Sequence, residues 1–331
     1  MKRFITSKTI ISYLLITYFI TFSFWFAPNI FEVTTDIRFG LFTIGGCGPL
    51  IAAYLVILIQ SERKIEIPSL KIFFLFFFLS LFSITALMYS IDLGNIKEEG
   101  FTPRLQNVSI LGWLLVLLFC FITGLNASNA ANTKLKENYL KTFLFENQKL
   151  KWYAIALLIF PTLSMLGYFL GDFLGFKLTD FFIKYEPFWL LTFLGTFLYF
   201  GGNEEFGWRG FMQKELQKKY SPLISALLIS VAWNFWHLPM HYNGMYSTGG
   251  IADLLPRFLL IVPHTIMLTW LFNKSKYSLL AVVLLHTMHN SFTSIFGGAR
   301  ESLFILQMLF CVIVIIKEKM WKKIDYSIVI D

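Results

Sequence analysis

Ten stretches of apolar residues, each approaching the length of a membrane crossing, constrain this chain more than any other feature. They run Ile10–Ala27, Phe39–Ile59, Leu70–Ile91, Val108–Leu125, Trp152–Leu174, Pro187–Met212, Pro222–Met240, Arg257–Phe272, Ser278–Phe296 and Leu303–Ile316. About 20 mainly apolar residues are needed to cross the hydrocarbon core as a helix. In lipid only helices and closed barrels satisfy their own backbone, and runs of this length read as helices. The expected fold is therefore all-α, a polytopic transmembrane helical bundle. Eight spans are expected to cross fully. The fourth and tenth are candidates for shallow or re-entrant segments, giving eight to ten spans. Composition agrees: 56% of the 331 residues are hydrophobic and 15% charged, against about 25% charged in soluble domains. A soluble core could not hide 38 Phe. The Phe-rich run at Ile72–Phe78 reads as a lipid-facing or packing helix.

Charge alternates from loop to loop. Lys2, Arg3 and Lys8; Arg63, Lys64 and Lys71; Lys134, Lys136, Lys141, Lys149 and Lys151; Lys214, Lys218 and Lys219; Lys274 and Lys276; and Lys317, Lys319, Lys322 and Lys323 fall on one side of a ten-span chain. The opposite loops are poorer in Lys and Arg and hold Asp36, Asp92, Glu98, Glu99, Asp180, Glu186 and Asp253. Positive residues collect in cytoplasmic loops, so this is expected to be a multi-pass cell-membrane protein with both termini cytoplasmic. The same rule accounts for the net charge of +8 without nucleic acid, which is not expected as a partner. Cys47, Cys120 and Cys311 lie in apolar runs without metal spacing and read as buried thiols. The first apolar stretch is too long for a signal-peptide core and lacks a small-residue cleavage site. Residues 126–151 read as a cytoplasmic loop, with a surface helix near Leu135–Leu150.

Ionisable groups inside a span are costly and usually functional. Three places break the apolar pattern. Asn203-Glu204-Glu205-Phe206-Gly207-Trp208-Arg209 continues an apolar run too short to span alone. Glu205 and Arg209, four apart, share a helix face and can pair, leaving Glu204 unpaired about 100° away. The bland alternative is a charge cluster at the membrane edge. Trp233-Asn234-Phe235-Trp236-His237 places Trp233 and His237 on one face; the alternative is an interfacial aromatic belt. His286-Thr287-Met288-His289-Asn290 puts His286 and Asn290 on one face, where a structural inter-helix hydrogen bond is the alternative. His289 lies near that face as a supporting group, His241 reads as a loop residue and His264 has no obvious partner. A carboxylate, two imidazoles and an amide can activate water and stabilise an oxyanion.

At these residues the chain resembles the CAAX-protease and bacteriocin-processing family, which holds the type II CAAX prenyl proteases and the Abi-like bacteriocin-immunity proteins. Glu204, Glu205 and Arg209 match its E-E-x-x-x-R motif. His237 matches F-x-x-x-H, with Trp233 where Phe is usual. His286 and Asn290 match H-x-x-x-N. The resemblance covers 187–296, setting off a catalytic transmembrane core from N-terminal helices with a cytoplasmic loop (1–186) and a C-terminal span with a basic tail (297–331). It implies an intramembrane endopeptidase acting on a membrane-anchored protein or peptide. Glu204 and His237 would activate water, His286 and Asn290 would hold the oxyanion, and Arg209 would orient the glutamates.

Cofactor use stays open: none, or Zn held by Glu204, His237 and His286. Depth poses a problem, because at ~1.5 Å per residue Glu204 and His286 lie roughly 13–15 Å from the cytoplasmic ends of their spans and His237 about 22 Å. Tilt or a broken helix must reconcile them. Two other readings remain: a catalytically silent immunity or peptide-binding scaffold, and a transporter, for which no second copy of the 204–290 pattern is present.

Overall fold

The computed structural model describes residues 2–61, 67–92, 102–130, 150–175, 189–246, 249–295 and 300–324. The expected surface helix near Leu135–Leu150 and most of the acidic loop residues lie outside them. Among the described residues there are helices and no strands. In chain order they are α1 Lys2–Ser7, α2 Thr9–Ile30, α3 Thr35–Gly46, α4 Gly48–Ser61, α5 Leu70–Asp92, α6 Ile110–Ala130, α7 Lys151–Phe173, α8 Trp189–Thr196, α9 Gly202–Glu205, α10 Lys214–Gln217, α11 Pro222–Trp236, α12 Leu254–Lys274, α13 Leu279–Ile295 and α14 Arg300–Lys317.

Five of these helices are long and apolar enough to cross a membrane. α3 and α4 form a sixth apolar unit bent by 43°, so the second expected span is broken at Cys47. The fourth stretch, a candidate for a shallow segment, is a helix of 20 residues, Ile110–Asn129, long and apolar enough to cross. Large apolar side chains cover the outside of the bundle: Phe19, Phe82, Ile110 and Leu158 are each exposed by more than half. A water-soluble protein does not carry so wide an apolar surface. The Phe-rich run lies in α5, with Phe74 and Phe78 outward and Phe73 buried.

Hydrogen bonds pin the ends of the helices in up-and-down register. At one end Gln60 donates to Thr9 (2.9 Å), Tyr153 meets Ser278 (3.2 Å), and Lys274 pairs with Glu318 (2.9 Å). At the other, Ser109 N donates to Asp36 (2.9 Å) and Asn243 donates to the Trp25 carbonyl (3.3 Å). The buried core joins α2, α4, α7, α11, α12 and α13 around the segment 189–217. A second cluster lies between α3, α5 and α6.

Residues 189–217 are helical without interruption, but π-helical turns at Phe197–Gly201 and Phe206–Gln213 flank α9. Such turns inside α-helices recur at functional sites. The second is held close to α4 by Gly207, where an added Cβ would stand 2.5 Å from Pro49 Cβ and 2.6 Å from its backbone. Gly207→Ala therefore forces two helices apart. We expect it to destabilise the fold by about 1–3 kcal/mol, the usual range for overpacking. Gly46→Ala, with nothing within 4 Å of the added carbon, should change little. Thermal unfolding of the two variants in detergent checks this contrast.

Candidate active site

The three polar segments found in the sequence converge, but in two groups rather than one. The first group faces a cavity of about 220 Å³. Glu204, 3% exposed, and His237, 4% exposed, are part of its lining. The walls are mainly aromatic and include Trp25, Phe42, Tyr199, Trp236 and Tyr246. Trp25 and Phe42 come from α2 and α3, so the first part of the chain builds this cavity together with 187–296.

His237 is the residue at which α11 stops. Its Nδ1 lies 2.8 Å from the Trp233 carbonyl. A carbonyl only accepts, so the proton sits on Nδ1 and Nε2 keeps its lone pair. α11 has 15 residues, about 22 Å at 1.5 Å per residue, short of the ~30 Å hydrocarbon thickness. α11 is unbroken up to His237; the helical run carrying Glu204 instead continues to Gln217, about 20 Å beyond Glu204 at 1.5 Å per residue, and Glu204 and His237 line the same cavity.

The second group is a buried charge network. The expected Glu205–Arg209 pair is present at 2.9 Å, with both side chains fully buried. The same Glu205 oxygen lies 2.7 Å from His286 Nδ1, so α13 is tied to α9 through one carboxylate atom. Neither Glu205 nor His286 lines the cavity. Asn290 is half-buried, and its Oδ1 lies 3.0 Å from His289 Nδ1.

Trp233 joins the groups. Its indole N–H donates to Glu204 Oε2 at 2.8 Å. Arg209 lies over its ring at 4.8 Å, a cation–π contact. His286 approaches it edge-on at 5.4 Å. The sequence suggested only an aromatic wall here; the hydrogen bond to Glu204 needs a nitrogen that Phe lacks. His264 was also passed over. It is buried, stacks on His289 with centroids 4.0 Å apart, and meets His286 at 5.4 Å. Neither of its ring nitrogens makes a hydrogen bond. Its spacing from the other histidines on the neighbouring helix α13 carried no signal, because contacts between helices leave no periodicity in sequence.

Zinc would need Glu204, His237 and His286 around one point. Among the described residues no three His, Cys, Asp or Glu side chains are grouped to hold a metal ion. Glu204 and His237 line the cavity whereas His286 does not. In this arrangement the trio does not fit a tetrahedral site.

Comparison with known proteins points the same way as the motifs. The family model for type II CAAX prenyl endopeptidases, Rce1-like, matches residues 186–292, the segment that carries all three motifs. That segment is therefore similar to the type II CAAX prenyl endopeptidases. Among its relatives is CAAX prenyl protease 2 of Methanococcus maripaludis, 25% identical over 230 residues, covering 65% of this chain and 81% of that protein.

Trp233→Phe, which restores the residue usual in the family, leaves a buried Glu204 oxygen without its donor. We expect a loss of about 1–3 kcal/mol. In a Glu204→Ala background the same substitution should cost much less, since its partner is already gone. A double-mutant cycle on unfolding reads this coupling; additive losses would show that the hydrogen bond contributes nothing.

Proposed function

We propose that this chain is an intramembrane endopeptidase in which Glu204 activates the attacking water. The observation that carries this reading is that Glu204 is held by Trp233 at the wall of an aromatic cavity shared with His237. Its neighbour Glu205 is consumed by Arg209 and His286. Two adjacent carboxylates thus have different partners and different roles.

Glu204 takes a proton from a water in the cavity, with the Nε2 lone pair of His237 accepting from the same water and aiming it. The water oxygen bonds to the peptide carbonyl carbon and gives a tetrahedral oxyanion. His286, whose Nδ1 is held by Glu205, and the amide of Asn290 are the groups that the family resemblance assigns to that oxyanion. Such preorganised donors act strongly in a site that excludes water. Glu204 then passes its proton to the departing amine as the C–N bond breaks. Arg209 fixes Glu205 and, through the Trp233 ring, the geometry of Glu204. The substrate is a membrane-associated protein or peptide, and no metal enters any step.

Purified wild type and Glu204→Gln, incubated with quenched fluorescent membrane-anchored peptides, test this reading. Cleavage by the wild type should fall by a factor of at least about 10²–10⁴ in the variant, the range for loss of a general base. 1,10-Phenanthroline should leave the wild-type rate unchanged. Equal cleavage by both proteins contradicts the role of Glu204, and chelator inhibition contradicts the metal-free step. A protein that binds the peptide and cleaves nothing is the silent immunity or scaffold protein instead.

A further inference from the structure

Three glycines surround the break between α3 and α4, and packing explains two of them. A Cβ on Gly45 would collide with the Trp25 indole, and one on Gly48 with Thr21 Oγ1. Gly46 is different. Nothing lies within 4 Å of an added carbon there, and its φ is not in the left-handed region that favours glycine. Neither close packing nor the backbone requires a glycine at this position. The open space is the cavity itself. Gly46 is part of its lining, on one face of α3 with Thr43, Phe42 and Phe39, which precede it by three, four and seven residues. It also stands beside the reacting carboxylate. The Sγ of the next residue, Cys47, accepts from the Asn203 amide at 3.5 Å, and Asn203 immediately precedes Glu204. Gly46 and Glu204 thus flank one buried contact and face one cavity.

Trp25, Phe42, Trp236 and Met240 wall the space around them, and no lysine, arginine or aspartate lines it. We infer that Gly46 is a specificity-determining residue: by lacking a side chain it leaves room beside Glu204 for a bulky apolar side chain next to the scissile bond. The inference rests on the peptidase reading above. It gives the first part of the chain a share in choosing the substrate, since Gly46 lies outside residues 186–292, the segment similar to the type II CAAX prenyl endopeptidases. A side chain placed at 46 occupies the room that the substrate's own side chain would fill, and should exclude a large residue more than a small one. One methylene in a hydrophobic pocket changes relative rates by about 10–200-fold.

Gly46→Ala, Gly46→Val and Gly46→Leu in the full chain, purified in detergent, test this. Mass spectrometry first locates the bond that the wild type cleaves in a panel of membrane-anchored peptides. Pairs that carry Phe or Ala on either side of that bond are then compared, with Glu204→Gln as the control for contaminating protease. The readout is the ratio of kcat/KM for Phe to that for Ala. At one of the two positions the wild type should favour Phe. The ratio there should fall stepwise with added volume, by about 10–200-fold at Val and further at Leu. A ratio that stays constant along the series, an equal loss of both peptides, or a wild-type preference for Ala at both positions overturns the inference and leaves the peptidase reading standing. Thermal unfolding of the same preparations should stay near the wild type. A stepwise drop would show that the space is already packed, and also overturns the inference. If the wild type cleaves none of the peptides, the peptidase reading falls and the inference falls with it.

Discussion

The buried contact between Arg209 and Glu205, at 2.9 Å with neither side chain exposed, is the constraint on which the rest of the site depends. An unpaired charge at this depth costs several kcal/mol, so the closed packing of the helices around it depends on the pair. It fixes the face that 189–217 turns inward. The same Glu205 oxygen fastens His286 on α13, and Arg209 lies on the ring of Trp233 on α11. Three helices are thus located by one carboxylate and one guanidinium.

This arrangement explains how two neighbouring glutamates come to differ. Glu205 is surrounded by its partners and closed off from the cavity. Glu204, one residue on and turned about 100° around the helix, meets the indole N–H and the cavity wall. π-Helical turns on either side of α9 alter the local pitch, and Gly207 allows α4 to press against this segment. His237, at the end of α11, lines the same cavity as Glu204.

That the chain is a multi-span helical bundle was legible in the sequence because lipid leaves the backbone few alternatives; among the described residues five helices, or six with the bent pair, are long and apolar enough to cross, against the eight to ten expected. The i,i+4 spacing of Glu205 and Arg209 announced their pairing for the same local reason. What was not legible depended on contacts between helices. The 43° break between α3 and α4 was hidden inside a continuous apolar run. The indole bond from Trp233 to Glu204 spans 29 residues of sequence. His264 looked isolated until α12 and α13 were packed side by side. Nor did the sequence show that His286, assigned there to the oxyanion, turns its Nδ1 to Glu205.

The central claim is that one glutamate does chemistry while its neighbour holds the fold. Turnover per folded molecule, measured with thermal unfolding on the same preparations of Glu204→Gln and Glu205→Gln, tests it most directly. Glutamine at 204 can still accept from the Trp233 indole, so the account predicts near-normal stability without turnover. Glutamine at 205 leaves Arg209 uncompensated, and stability should fall by about 3–5 kcal/mol. If Glu205→Gln is as stable as the wild type and inactive while Glu204→Gln still turns over, the assignment of the two carboxylates is reversed and the account is contradicted.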